Sequence, residues 1–488
     1  MRLEVVGKLL GVFSAFLGVM LLLPLLVDIL YAEGSFEIWL LSAVITLAVG
    51  LLLLLLSRGP MLSVSHREAL AFVFLAWLVA SVFGGLPYLF GGVFGSHWTV
   101  ETWVEAVFEA SSGFTTTGAT VIVDVEAVSK GLLFWRSFTH WLGGMGIILL
   151  TLAVLPLLGV GGMQLFKAEV PGPTTDKLFP RIVDTAKALW LIYLSFTLAQ
   201  TSLLWLAGLD LFEAICHTFG TMATGGFSTR NQSIGYYGSP VVDLIVISFM
   251  ILAGTNFSLH FQMFRGAPGG FLRNTEFKVY FCIVGVLPLL IGFRLYLHGL
   301  VPSLGSAMRQ AYFQVVSITT TTGFATADYE QWPFLEQMIL FLLMFIGGSA
   351  GSTSGGMKVI RVVLLAKLAY RGIYRVIHPR AFWQVKLGGR KIPAEVLDSV
   401  TGFYLLYTSI FLAGSIFLSW RGLDFVTSCS ALAATLGNVG PGLGLVGPTE
   451  TYQPFPTEVK AFLVLCMILG RLEIYTVLCI FMPVFWRR

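Results

Sequence analysis

The chain has 488 residues, 56% of them apolar and only 11% charged, with a mean hydropathy of +0.84. Ordinary soluble domains carry roughly 25% charged residues, so a soluble monomer is excluded. Thirty Lys and Arg against 26 Asp and Glu leave a net charge of +4, an excess too small and too dispersed for a nucleic-acid footprint, so nucleic acid is not a partner.

A bilayer demands about 20 apolar residues per helical span. Runs of that kind occupy 5–31, 37–56, 67–93, 131–158, 186–208, 239–264, 278–298, 333–370, 396–420 and 457–485. No small-residue cleavage site follows the first, which reads as an anchor and not as a signal peptide. The expectation is an all-α polytopic membrane protein of about ten transmembrane helices, with the lipid bilayer as its solvent. Between the runs lie shorter stretches near 104–117, 211–225, 309–322 and 424–439, too short to cross and read as re-entrant half-helices. With the N-terminus cytoplasmic, Arg2, Lys8, Arg58, Arg67, Lys167, Lys177, Arg181, Lys187, Arg265, Arg273, Lys278 and the basic cluster in 358–391 all fall on the inner side. The positive-inside rule selects that orientation.

One pattern recurs after each half-helix. It reads TTTG at Thr115, Thr116, Thr117 and Gly118, then ATGG at Ala223, Thr224, Gly225 and Gly226. It returns as TTTG at Thr320, Thr321, Thr322 and Gly323, and as GNVG at Gly437, Asn438, Val439 and Gly440. Each copy has one span before its half-helix and one after. The repeating unit is therefore span, half-helix, filter strand, span, and successive units enter the membrane in the same sense. Four such parallel units surround a central pore: 67–160, 181–265, 275–371 with a broken last span, and 394–488, preceded by two extra N-terminal spans in 1–66. The span after each strand carries a further glycine, at Gly144, Gly254, Gly348 and Gly470, and in the last unit Arg471 follows it.

Non-helical backbone at membrane depth is tolerable only where it lines a cavity or is buried in protein. Four such strands on one axis can replace the hydration shell of a monovalent cation with backbone carbonyls. Threonine adds hydroxyls, and glycine allows the positive φ that turns successive carbonyls inward. The half-helices end at the axis with their partially negative C-termini, which favours a cation there.

With those residues the sequence resembles the TrkH/KtrB family of potassium transport proteins, whose plant relatives are the HKT transporters. The likeness covers essentially the whole chain: the filter strands, the broken span with Gly347, Gly348, Ser349, Ala350, Gly351, Ser352, Thr353, Ser354, Gly355 and Gly356, and Gly470-Arg471 in the last span. The two extra N-terminal spans are closer to the TrkH branch. The resemblance implies a potassium filter at the stacked glycines, an intramembrane gating loop at 347–356, and an arginine, Arg471, projecting into the pore. It also implies a homodimer, a cytosolic nucleotide-binding subunit of the TrkA type, and residence in the cytoplasmic (inner) membrane of a prokaryote. Glycine in all four filter strands favours potassium over sodium. The fourth strand departs from the others by lacking threonine, so fourfold symmetry is approximate.

An ion-coupled potassium symporter driven by protons or sodium is the alternative for the same fold. A membrane enzyme lacks support, because no Ser/His/Asp, paired-carboxylate or metal-hydrolase constellation is present. The segment Gly351–Lys358 lacks the ending of a phosphate-cradling loop. The cysteines sit in apolar runs without metal-ligand spacing, and His217 reads as a structural hydrogen-bonder. For Arg471 the competing reading is a salt bridge locking the last helix to a neighbour.

Overall fold

The computed structural model describes residues 1–57, 64–95, 97–146, 182–267, 269–380 and 384–487. Among them, six helices are long and apolar enough to cross a membrane: Leu3–Leu30, Phe36–Leu56, His66–Phe90, Asp184–Leu206, Thr275–Leu297 and Ala394–Trp420. Two bent pairs raise the number to eight: Pro240–Ala253 with Phe257–Phe264 at 97°, and Thr457–Arg471 with Ile474–Phe481 at 118°. The protein is thus an all-helical, multi-pass membrane protein with six to eight candidate spans, plus one two-residue hairpin, Lys386–Leu387 with Arg390–Lys391, that hydropathy did not announce.

Several of the ten apolar runs are not described as one unbroken helix. The run at 131–158 is described only as Lys130–Gly144; its second half, with Lys167, Lys177, Arg181 and the end of the first expected unit, lies outside the described residues, as does Arg58. The run at 333–370 divides into Phe334–Ile346 and Val359–Ile377. The runs at 239–264 and 457–485, each expected to form one span, are bent helix pairs. Each breaks at or just after its glycine, Gly254 or Gly470, where side chains such as Asn256, which caps the following helix by accepting from Ser258 N–H, satisfy the freed backbone.

The N-terminal helix packs along Phe36–Leu56 through glycines. A Cβ on Gly11 would stand 2.9 Å from the carbonyl oxygen of Gly50, an approach that only small residues permit. The four short helices are Val100–Phe114, Leu211–Met222, Leu304–Thr319 and Phe425–Leu436. Helices this short are marginal by themselves. Each is capped at its N-terminus by a side chain that accepts a backbone N–H: Thr99 from Thr102, Asp210 from Phe212, Ser303 from Ser306 and Asp424 from Thr427.

Packing then closes a ring. Lys130–Gly144 lies on the second short helix, Pro240–Ala253 on the third, Phe334–Ile346 on the fourth, and Thr457–Arg471 on the first. Ion pairs tie two of these contacts: Asp243 to Arg309 at 3.5 Å, and Glu105 to the fully buried Lys460 at 2.6 Å.

Candidate functional site

Each short helix ends in the same hydrogen-bond pattern. The N–H of Thr117 donates to Ser112 O at 2.9 Å, Gly225 to Gly220 O at 2.8 Å, Thr322 to Ser317 O at 2.8 Å and Val439 to Ala434 O at 2.8 Å. This is the six-to-one bond of a Schellman ending, which requires the preceding residue to be left-handed. That residue is normally glycine. Here it is Thr116, Thr224, Thr321 and Asn438, with φ of 53°, 55°, 57° and 53°. Only asparagine among these tolerates the conformation readily; for β-branched threonine it costs on the order of 1–3 kcal/mol. The sequence placed the positive φ at the fourth position of each strand and missed this one, because threonine propensity argues against it.

The fourth positions are left-handed as well: Gly118, Gly226 and Gly323 at 83°, 81° and 80°, and Gly440 at 98°. Each glycine faces the carbonyl of the residue before the aligned glycine in the next strand. A Cβ on Gly118 would stand inside 3.0 Å of Gly225 O, on Gly226 of Thr322 O, on Gly323 of Val439 O, and on Gly440 of Thr117 O. The fourth contact returns to the first strand, so the strands form a closed ring in chain order. A cavity of about 120 Å³ opens on the glycine side, lined by Gly118, Gly226, Gly323 and Gly440 and by the outer loops.

The threonine hydroxyls are partly committed elsewhere. Thr115 Oγ1 donates to Ser111 O and lies 2.7 Å from Thr117 Oγ1. Thr320 Oγ1 donates to Val316 O and lies 2.8 Å from Thr322 Oγ1. In the fourth strand Asn438 donates to Thr117 Oγ1 at 3.0 Å and to Met467 O at 2.9 Å, binding strand four to strand one and to the last long helix. Among the described residues, Thr116 Oγ1 and Asn438 Oδ1 are buried with no hydrogen-bond partner.

The segment 347–356 lies at the opposite end of the ring from the cavity. Gly355 N–H donates to Thr321 Oγ1 at 2.7 Å, Thr224 Oγ1 donates to Thr353 Oγ1 at 3.3 Å, and a Cβ on Gly355 would meet Asn438. The second-position side chains of three strands therefore touch this loop. Ser349 N–H donates to Gly254 O at 2.9 Å and Phe257 N–H to Gly351 O at 3.0 Å, so the break in the 240–264 helix pair holds the loop from the side. Gly347 and Gly351 take φ of 74° and 72°, and Gly356 68°. Gly348, Ala350, Ser352 and Ser354 complete the segment, with Ser354 O accepting from the buried Lys358 Nζ.

Arg471 donates to Thr353 O at 2.6 Å and to Gly143 O and Gly144 O at 2.7 and 3.0 Å. It thus spans from the loop to the helix that follows the first strand. Glu473, two residues further on, is bound by Arg361.

The ring is backed by a buried network that sequence reasoning did not single out. Arg136 Nε meets Glu109 at 2.6 Å, Arg136 Nη1 donates to Ser228 O at 2.8 Å, and its guanidinium lies 3.6 Å from the centre of the Phe227 ring. Glu109 also accepts from Thr120 Oγ1 and Val121 N–H, both at 3.0 Å. His140 Nδ1 lies 2.7 Å from Gly113 O while its Nε2 accepts from Phe227 N–H at 3.2 Å, which assigns the proton to Nδ1. His217 is placed as a structural hydrogen-bonder, between Glu213 O and Ser228 Oγ. Removing one partner of a buried pair strands the other charge, so Glu109→Ala should cost about 3–5 kcal/mol. A thermal melting midpoint equal to the parent's would contradict it. On the outer loops, the hydrogen bond from Asn231 holds the Asp124 carboxyl below its usual range. Burial pushes the Glu330 carboxyl up, offset in part by the N–H of Gly444.

Comparison with known proteins agrees along the full length. The family model for TrkH, described as a cation transport protein, matches residues 39–487. The Trk system potassium uptake protein TrkH of Escherichia coli (strain K12) is 39% identical over 489 residues, covering 100% of both chains. TrkH of Vibrio parahaemolyticus is 42% identical over 490 residues, covering 99% of each. The solved crystal structure of the potassium transporter TrkH from Vibrio parahaemolyticus superposes with a TM-score of 0.89 at 39% identity, covering 100% of both chains.

Proposed function

The chain belongs to the TrkH family of cation transport proteins, a family of transporters and not of enzymes, and from that premise we propose that it carries potassium into the cell through the ring of four strands. Potassium is then the cargo of the pore, not a cofactor. The observation that carries the reading is the closed ring itself: four left-handed glycines, each abutting a carbonyl of the next strand. The carbonyls of Thr117, Gly225, Thr322 and Val439 form one equivalent set, and such rings substitute for a hydration shell.

The wider architecture follows the same reading. Ten spans, eight of them in parallel units 67–160, 181–265, 275–371 and 394–488 after the two spans of 1–66, accommodate the cyclic packing of long and short helices. The loop 347–356 acts as the gate, since it contacts the second positions of three strands. The face rich in Lys and Arg is read as the inner, cytoplasmic one, with the N-terminus on that side, which the positive-inside rule supports; the family resemblance supports the cytoplasmic membrane of a prokaryote. A homodimer and a nucleotide-binding subunit of the TrkA type follow from the family resemblance.

Ion flux into proteoliposomes tests the function. Potassium and rubidium should permeate better than sodium and lithium, because the smaller ions hold water more tightly than carbonyls can repay. Equal permeability of potassium and sodium under bi-ionic conditions would refute the filter. A reversal potential displaced from that of potassium by a proton or sodium gradient would turn the reading to coupled transport.

A further inference from the structure

We propose that Glu276 is the staple that holds the loop 347–356 seated under the ring, and that it links that loop to the cytoplasmic face. The proposal rests on the reading of the loop as the gate. Glu276 is buried, with only 4% of its surface exposed. Its Oε1 accepts the backbone N–H of Ala350 at 2.8 Å and that of Ile360 at 3.1 Å. One carboxylate oxygen thereby gathers the descending limb of the loop and the start of the helix Val359–Ile377 that leaves it.

Few other contacts of the loop involve a charged group. Its own side chains are small and uncharged, and apart from the cationic donors Arg471, to Thr353 O, and Lys358, to Ser354 O, its other fixed contacts are neutral, among them Ser349 N–H to Gly254 O, Phe257 N–H to Gly351 O, and Gly355 N–H to Thr321 Oγ1. Bonds to an ionised acceptor are roughly twice as strong as neutral ones. Ala350 N–H and Ile360 N–H also need an acceptor, since a buried amide left unpaired is costly. Glu276 therefore contributes a charge-assisted restraint on two amides at once, one in the loop and one in the helix that leaves it.

Its position gives the staple a handle. Glu276 lies in the first turn of Thr275–Leu297, a helix capped by Asn274, whose side chain accepts from Phe277 N–H at 2.9 Å. Arg273 immediately precedes the cap, in a segment that the charge distribution assigns to the cytoplasmic side. A shift of this turn, imposed from the cytosol, moves both limbs of the loop at once. Glu276 is a positioning residue in this scheme and touches no ion.

Rubidium influx into liposomes, with potassium-to-sodium permeability ratios measured on the same preparations, tests the staple. Glu276→Ala should raise basal influx about tenfold, the equivalent of losing about 1.4 kcal/mol of the loop's seating, with the permeability ratio kept. Glu276→Gln keeps an acceptor oxygen but not its charge and should fall between the parent and the alanine variant. That graded order at constant selectivity supports the staple. Parent-like or lower influx in folded protein overturns it, as does a fall in the permeability ratio alongside the flux. If the alanine variant does not fold, the nearly isosteric glutamine variant decides. A protein with a shortened 347–356 loop separates the two readings: fast influx there with parent-like Glu276 variants overturns the staple alone, whereas parent-like influx in all three overturns the gate.

Discussion

Arg471→Ala should speed potassium flux by up to about a hundredfold while leaving filter selectivity intact. An arginine within a span is expensive and faces the protein interior or a water-filled path. Its guanidinium binds Thr353 O in the loop and the carbonyls of Gly143 and Gly144, so it sits at the loop's edge and reaches across to the first unit. At about 6 Å from a passing cation, in an effective dielectric near 20, its repulsion is about 3 kcal/mol. That is roughly a hundredfold in occupancy. Removing it also releases Thr353, so barrier and tether act in the same direction. A purely structural arginine predicts the opposite: loss of stability together with loss of flux. Tracer influx and melting temperature on the same preparation separate these outcomes, and a folded variant no faster than the parent would sink the barrier.

Gly226→Ala and Gly118→Ser should abolish discrimination between potassium and sodium. Two independent costs fall on each position. The backbone is left-handed, where a side chain is strained by roughly 1 kcal/mol or more. The new Cβ would also lie inside 3.0 Å of the carbonyl of Thr322 or Gly225, and that carbonyl belongs to the ring itself. Backbone cannot rotate aside like the end of a flexible side chain, so the oxygens that replace the hydration shell must move. Bi-ionic potentials should show the permeability ratio collapsing toward unity. An unchanged ratio in either folded variant would mean that the ring of glycines is not the selective element.

Much of this protein is legible from the chain alone. Apolar runs of spanning length located the long helices, since solvation by lipid acts on each segment separately. Half-helices fell at Val100–Phe114, Leu211–Met222, Leu304–Thr319 and Phe425–Leu436, each within a few residues of its expected place. The fourfold motif aligned Gly118, Gly226, Gly323 and Gly440, because a repeated local geometry demands a repeated residue type where only glycine is comfortable. The glycines at 254 and 470 stand at helix breaks, inside runs whose hydropathy is continuous.

Tertiary structure decided what propensity opposes or spacing cannot reach. Thr116, Thr224 and Thr321 are left-handed against their own preference, because the six-to-one bond at each helix end and the crowding of adjacent strands over-determine them. The order in which the strands abut, Gly118 on Gly225 and finally Gly440 on Thr117, joins residues hundreds of positions apart and leaves no local trace. Glu109 with Arg136, Lys460 with Glu105, and Glu276 with Ala350 and Ile360 are likewise chosen by burial: a charge or an amide taken out of water must find a partner wherever the fold supplies one, and chain order does not say where that is.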